Sequence, residues 1–250
     1  MPADGPLAVS HEEAKMVKNQ ISAFIRGLDS RQMPRYSFGE AARYLGLPES
    51  TLRSWFQGTT WGSQPDIRYF KPILAPAAPR LLSFFDIASA HVLMAFHKKN
   101  IHTKKIRQIV RELEKEYPDD RYPLLGRNFY LIGRETIIKQ AGKRLNLSLS
   151  RQFELRAVIE KFLSRLELDR SKMPLRFSPL RTLEGTNLIV IDPTLSAGRP
   201  VIKGTGIAVE VISRRKASGE SVASLAKDYR VSQRAIEEAI KYFPVQKAAA

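Results

Sequence analysis

The chain contains no cysteine and only four histidines in 250 residues. The first absence excludes disulfides, zinc fingers and thiolate nucleophiles. The second leaves little from which to build a metal centre. His11, His91, His97 and His102 have no carboxylate beside them in ligand spacing, and His97 and His102 straddle a helix end without an i, i+4 relation. No apolar run reaches the about 18 residues of a membrane-spanning helix. The first residues also lack the basic stretch and apolar segment of an export signal, so the cytoplasm is the expected compartment. The lone glycine-rich candidate, Gly204-Thr205-Gly206, lacks the Lys-Ser/Thr of a phosphate cradle. Asp119-Asp120 follows a proline and reads as a turn rather than a nuclease pair. No cofactor, metal or catalytic residue is expected, and the chemistry is recognition rather than catalysis.

Acidic residues are scarce too, 25 against 41 Lys and Arg, for a formal charge of +16. The excess is local. Basic residues outnumber acidic ones 16 to 9 over 31–127 and 12 to 5 over 128–183, but only 10 to 7 over 184–250 and 3 to 4 over 1–30. A polyanionic partner for 31–183 is one reading; an ordinary basic protein is the other, because net charge reports association and not fold. At 43% hydrophobic the chain has enough apolar surface for a sizeable core.

Ser10 and Glu13 have capping-box spacing, and Ala14, Val17, Ile21, Phe24, Ile25 and Leu28 recur at helical intervals. An amphipathic helix is expected there. From Tyr36 to Gln57, Phe38, Ala41, Ala42 and Leu45 stripe a first helix, Gly46 supplies a turn, and Pro48 suits the first turn of a second. Leu52 with Trp55 or Phe56 anchors that second helix inward, leaving Glu49, Ser50, Arg53, Ser54 and Gln57 outward. This is a helix-turn-helix pattern, whose second helix enters the DNA major groove; a tight helical hairpin is the competing reading. Ile67–Leu74 and Arg80–Phe84 read as two strands of a hairpin. As a wing it places Arg68, Lys71 and Arg80 near phosphates; otherwise it closes the core. Ser50, Thr51, Arg53, Ser54 and Gln57, with Arg43, Arg68 and Lys71, are the candidate DNA contacts.

A helix opening at Asp86 and another over 101–117 follow. The second carries Lys104, Lys105 and Arg107 at its start and Glu112, Glu114 and Glu116 at its end, the wrong sense for the helix dipole. Past the Pro118–Pro123 break, a short hairpin is expected over 129–138, a helix over 153–166 and a Pro-bounded extended segment over 173–180. LIVID at 188–192 reads as a buried strand, and 191–212 as alternating turns and strands. Two helices then flank Val231-Ser232, with Ser232 as cap. Glu237 and Glu238 face outward in this second helix-turn-helix pattern and would repel phosphate, so packing or dimerisation suits it better than DNA reading. The expected fold is mainly α with short β-hairpins. Its parts are an N-terminal amphipathic helix (1–30), a winged helix-turn-helix (31–120), a basic middle region (121–183) and a C-terminal trihelical domain with a small β element (184–250).

The order of Tyr36–Trp55, LSFFDIASAHVL (82–93), YPLLGRNFYLIGRE (122–135) and IDPTLSAGRPVIKGTGIAVEVI (191–212) resembles the larger VapB-type antitoxins. These have a MerR-like N-terminal helix-turn-helix and a C-terminal antitoxin-associated domain, formerly of unknown function. The resemblance covers 35–243, with Gly198, Pro200, Gly204 and Thr205 as its most specific residues and Ala208 where proline is usual. Gly198 and Gly204 fit turn positions that favour positive φ. The resemblance implies an antitoxin that neutralises a PIN-type ribonuclease toxin and, as a homodimer, represses its own operon. Such a nuclease clusters carboxylates, so Arg151, Arg156, Arg176 and Phe177 of the basic middle region become candidate toxin contacts. The MerR likeness admits a regulator answering a small effector instead, though its metal-sensing members use cysteines that are missing here.

Overall fold

The computed structural model describes residues 29–63, 65–125, 149–179 and 187–244. The helix expected over 11–28 and the hairpin expected over 129–138 lie outside them. The described part is mixed: helices with small antiparallel sheets, and a helix-turn-helix-like unit near the start. Among the described residues no helix is long and apolar enough to cross a membrane.

Strand β1 (Tyr36–Ser37) runs directly into α1 (Phe38–Leu45). Ser37 caps the helix by accepting from the Glu40 amide at 3.2 Å, while the Glu40 carboxylate accepts from the Ser37 amide at 3.0 Å. Two orphan donors are thereby satisfied at once. Gly46 ends α1 in the left-handed region (φ 70°), and α2 (Glu49–Gln57) starts three residues later with Pro48 as its N-cap. The apolar stripe is buried as its spacing requires: Phe38, Ala41, Ala42, Leu45, Leu52 and both Trp55 and Phe56.

The expected pairing of Ile67–Leu74 with Arg80–Phe84 does not form. Instead β2 (Thr59–Trp61) follows α2 and pairs with β3 (Arg68–Phe70) in the register Thr59↔Phe70, Trp61↔Arg68. Pro72 removes a donor just beyond β3, and the amides of Ile73 and Leu74 bond to the Trp55 carbonyl at 2.7 and 3.0 Å. Strand β4 (Leu81–Leu82) pairs with β1, which takes Arg80 away from the hairpin.

Helix α3 (Phe84–Lys98) begins two residues before Asp86. Ser83 is its cap, and Asp86 closes the capping box from the third helical position. Asp86 also accepts from the Ala77 amide at 2.9 Å, and burial pushes its pKa up. Every residue from Phe84 to Phe96 is buried, the signature of a helix covered on all sides. Helix α4 (Thr103–Glu116) buries Ile106, Ile109, Val110 and Leu113. Helix α5 (Leu149–Leu163) packs on α3 and stops earlier than expected. Leu166, spaced as a further helical position, instead opens β5 (Leu166–Leu168). The Pro-bounded segment supplies β6 (Pro174–Phe177). With β7 (Ile189–Ile191) and β8 (Pro200–Ile202), these make one antiparallel sheet in the order β5-β6-β7-β8. The β6–β7 pairing of Phe177 with Ile191 joins strands on either side of position 183.

Beyond β8 the expected strand character gives way to α6 (Val209–Ala217). Val209, Ile212 and Ser213 are buried at helical spacing, a face that the β-branched composition of the stretch concealed. Helices α7 (Val222–Tyr229) and α8 (Gln233–Tyr242) pack with α6 over a separate core that includes Leu225, Ile236 and Ala239. Ser232 caps α8 by accepting from the Ala235 amide at 3.2 Å. Glu237 is exposed, but Glu238, also expected outward, is 1% exposed because α8 packs against both α6 and α7.

Two tyrosines join the N-terminal helix pair to the C-terminal part of the described chain. The buried Tyr36 hydroxyl donates to the Gly198 carbonyl at 3.0 Å, and that of Tyr242 to the Tyr44 carbonyl at 2.8 Å. Gly198 has φ 78°, and a Cβ there would strike the Tyr36 hydroxyl. Gly198→Ala should therefore cost roughly 1–3 kcal/mol in chemical denaturation, with Tyr36→Phe in the same chain recovering part of it. An unchanged midpoint would contradict the close approach.

His91 in α3 is fully buried, and its Nε2–H donates to the Phe162 carbonyl at 3.0 Å. Burial lowers its pKa from 6.5 to about 4. The folded state thus resists a proton that the unfolded chain accepts, so His91 costs nothing above pH 6.5 and destabilises progressively as pH falls towards 4. The full effect is on the order of 3 kcal/mol. Denaturation of His91→Leu across that window should show a shallower loss than wild type; parallel curves would rule His91 out.

Candidate nucleic-acid interface

Helix α2 is held by its buried face, so its outer face is fixed by default. Leu52, Trp55 and Phe56 point inward, and Glu49, Ser50, Arg53 and Gln57 are exposed, with Thr51 and Ser54 half-buried. Arg53 lies at the centre of this face. Its guanidinium sits 4.9 Å from the centroid of the Phe38 ring, bridges to Glu49 at 2.6 Å and donates to the Gln57 side-chain oxygen at 3.3 Å. Aromatic and amide neighbours orient the fork, while Glu49 occupies part of it. Gln57 also donates to the Pro79 carbonyl at 2.9 Å, and Ser54 to the Thr51 carbonyl at 2.7 Å.

The β2–β3 hairpin continues this surface. Gly58 makes the corner at φ 78°, where the Phe70 carbonyl approaches so closely that a Cβ has no room. The Tyr69 hydroxyl donates to the Gln57 carbonyl at 3.2 Å, tying the hairpin to the end of α2. Arg68 and Lys71 are exposed here, alongside Trp61 (72% exposed) and Tyr69 (59%).

The structure therefore gathers Ser50, Thr51, Arg53, Ser54 and Gln57 on α2 with Arg68 and Lys71 on and beside the hairpin. Arg43 stands apart: its guanidinium lies 5.4 Å from the centroid of the Phe243 ring, on the C-terminal side. The residues suggested as toxin contacts are not brought together. Phe177 is 1% exposed and packs on Phe84 and His91, a correction that follows from its inward position in β6. Arg176 ion-pairs with Glu167 at 3.0 Å and with Asp192 at 3.7 Å. Arg156 is half-buried on α5, and the side chain of Arg151 lies outside the described residues.

Sequence reasoning missed Trp61 and Tyr69. The triplet Thr59-Thr60-Trp61, β-branched and aromatic directly after a glycine, was the available signal. It also missed the placement of Arg107, which is 7% exposed at a groove between α2, the hairpin and the start of α4.

A short helix pair with an exposed second helix, followed by a hairpin, defines the helix-turn-helix class. The profile "Putative DNA-binding HTH domain" matches residues 34–110, and "Protein of unknown function (DUF433)" matches residues 189–243. Among individual proteins, the chain is 25% identical over 227 residues to "Putative antitoxin VapB45" of Mycobacterium tuberculosis, covering 83% of this chain and 93% of that one. It is 23% identical over 222 residues to the uncharacterized protein Rv2308 of the same organism, covering 83% and 89%. The crystal structure of Rv2018, again from M. tuberculosis, shares the fold with a TM-score of 0.62 at 22% identity, covering 83% of this chain and 98% of that one.

The Arg53–Glu49 pair is exposed on both sides, so solvent screens it. Glu49→Ala should change the unfolding free energy by less than about 0.5 kcal/mol. A larger loss in urea denaturation would make the pair a structural element rather than part of a surface.

Proposed function

We propose that this chain is a DNA-binding antitoxin of a toxin–antitoxin module, acting by recognition and not by catalysis. On this reading the α1–α2 unit is a MerR-like winged helix-turn-helix. Helix α2 enters the major groove and the β2–β3 hairpin is the wing, with Arg68 and Lys71 against backbone phosphates. The observation that carries the reading is Arg53, presented at the centre of an exposed helix face and pre-oriented by Phe38 and Gln57. Glu49 holds the Nε and Nη2 edge of Arg53, and exchange of that exposed ion pair frees the fork for a bidentate contact to the O6 and N7 of guanine. The similarity to a protein named as an antitoxin supports the second half: a homodimer that represses its own operon and neutralises a PIN-type ribonuclease toxin. A regulator answering a small effector is the alternative, and the groove bordered by α2, the hairpin and α4 is what favours it.

Arg53→Ala should weaken binding to the DNA upstream of the chain's own gene by about 1–3 kcal/mol, with a smaller loss on unrelated duplex. Anisotropy titrations at one salt concentration measure both. Equal affinity of variant and wild type would remove Arg53 from the interface. Co-expression with a neighbouring PIN-type gene tests the partner: the antitoxin reading requires co-purification and rescue of growth.

A further inference from the structure

The groove between α2, the hairpin and α4 has a volume of about 490 Å³, within the range of about 300–1,000 Å³ typical of small-molecule sites. Ser54 from α2 and Thr59 and Phe70 from the hairpin form one wall. Thr103, Lys104 and Arg107 of the first turn and a half of α4 form the other. Arg107 is 93% buried by its 7% residual exposure, yet its Nε has no hydrogen-bond partner, and among the described residues no carboxylate pairs with it. A charged nitrogen taken out of water without an acceptor is costly, and the rest of the guanidinium borders the groove with no carboxylate to offset its charge. The backbone adds to the imbalance: His102, the N-cap of α4, offers no side-chain acceptor to the first-turn amides. Lys104 then adds positive charge at the helix end that is already positive.

Each of these features is unfavourable alone, and one anion corrects all of them. We propose that this groove binds a phosphate group, held by Arg107, Lys104 and the N-terminus of α4. A tetrahedral anion accepts from the guanidinium and from helix-start amides together. Because Ser54 and Thr59 border the same space, an occupied groove braces the hairpin against α2. The phosphate comes from one of two sources, the backbone of duplex DNA or a free phosphorylated ligand. Only the first depends on the DNA-binding reading.

The test uses the full chain and two variants. Lys104→Gln alters an exposed residue and leaves folding intact; Arg107→Gln removes the buried charge. Two probes are applied: a 20-bp duplex titrated at several salt concentrations, and inorganic phosphate in thermal melts against chloride at matched ionic strength. A duplex source predicts that Lys104→Gln weakens binding several-fold on any sequence and lowers the log K against log salt slope by about 1. A free ligand predicts that millimolar phosphate raises the wild-type Tm, that both variants lose the gain, and that duplex affinity is unchanged. If wild type binds no duplex, the DNA reading fails and the phosphate arm alone decides the site. Variants that match wild type with both probes overturn the proposal, as does a wild type that responds to neither.

Discussion

Everything described in the N-terminal two thirds depends on the burial of α3. A helix apolar on every side cannot stand at a surface, so it forces other elements to surround it. The helix-turn-helix unit covers one flank through α1, α5 covers another, and β6 lays Phe177 against Phe84 and His91. The DNA-facing candidate surface is therefore an outgrowth of the same core that holds the middle region, and α2 inherits its orientation from that core. Some of the polar groups drawn inside are paired there. Ser83 and Asp86 satisfy one another and the Ala77 amide, and His91 stays neutral against a carbonyl.

The C-terminal helices have their own core and are joined to the rest by backbone carbonyls. Tyr36 reaches Gly198, Tyr242 reaches Tyr44, and Arg35 donates to the Pro193 carbonyl at 2.8 Å. Separately, Arg31 bridges at 2.6 Å to Asp169, which follows β5 in the middle region. Both tyrosines adjoin α1, and Gly198 is the position where the approach leaves no space for a side chain. This geometry connects the helix-turn-helix-like unit to the region matched by the second profile.

The net charge is distributed unevenly in its consequences. Arg31, Arg176, Lys203 and Arg215 are engaged by Asp29, Asp169, Glu167, Asp192, Glu220 and Asp228, and those contacts hold segments together. Arg68, Lys71 and Lys104 are exposed around one groove and one hairpin, and Arg107 is buried beside them. Residues 128–183 have the highest ratio of basic to acidic side chains, 12 to 5, yet Arg176 among them is structural.

Local chemistry sufficed for some elements. The stripe from Phe38 to Phe56, the turn at Gly46, the Ser232 cap and the positive φ of Gly198 and Gly204 were all legible, because each rests on neighbours within a few residues. The resemblance to antitoxins was legible for the same reason: it resides in short motifs. The errors arose where a residue's state depends on distant contacts. Ile67–Leu74 read as one strand until Trp55 claimed the amides of Ile73 and Leu74, and Leu166 continued a helical spacing that the β6 partner overrode. Val209–Ile212 looked extended by composition but found a helical neighbour in α8. Phe177 and Arg176 were offered to a partner because sequence spacing carries no record of burial or pairing. The sequence alone determined the helices whose apolar stripe is plain, such as Phe38–Leu45 and Glu49–Gln57; tertiary packing decided the state of Val209–Ala217 and Leu166 and which polar groups remain exposed, since only the folded chain brings Glu167, Asp192 and Phe84 to the residues that they contact.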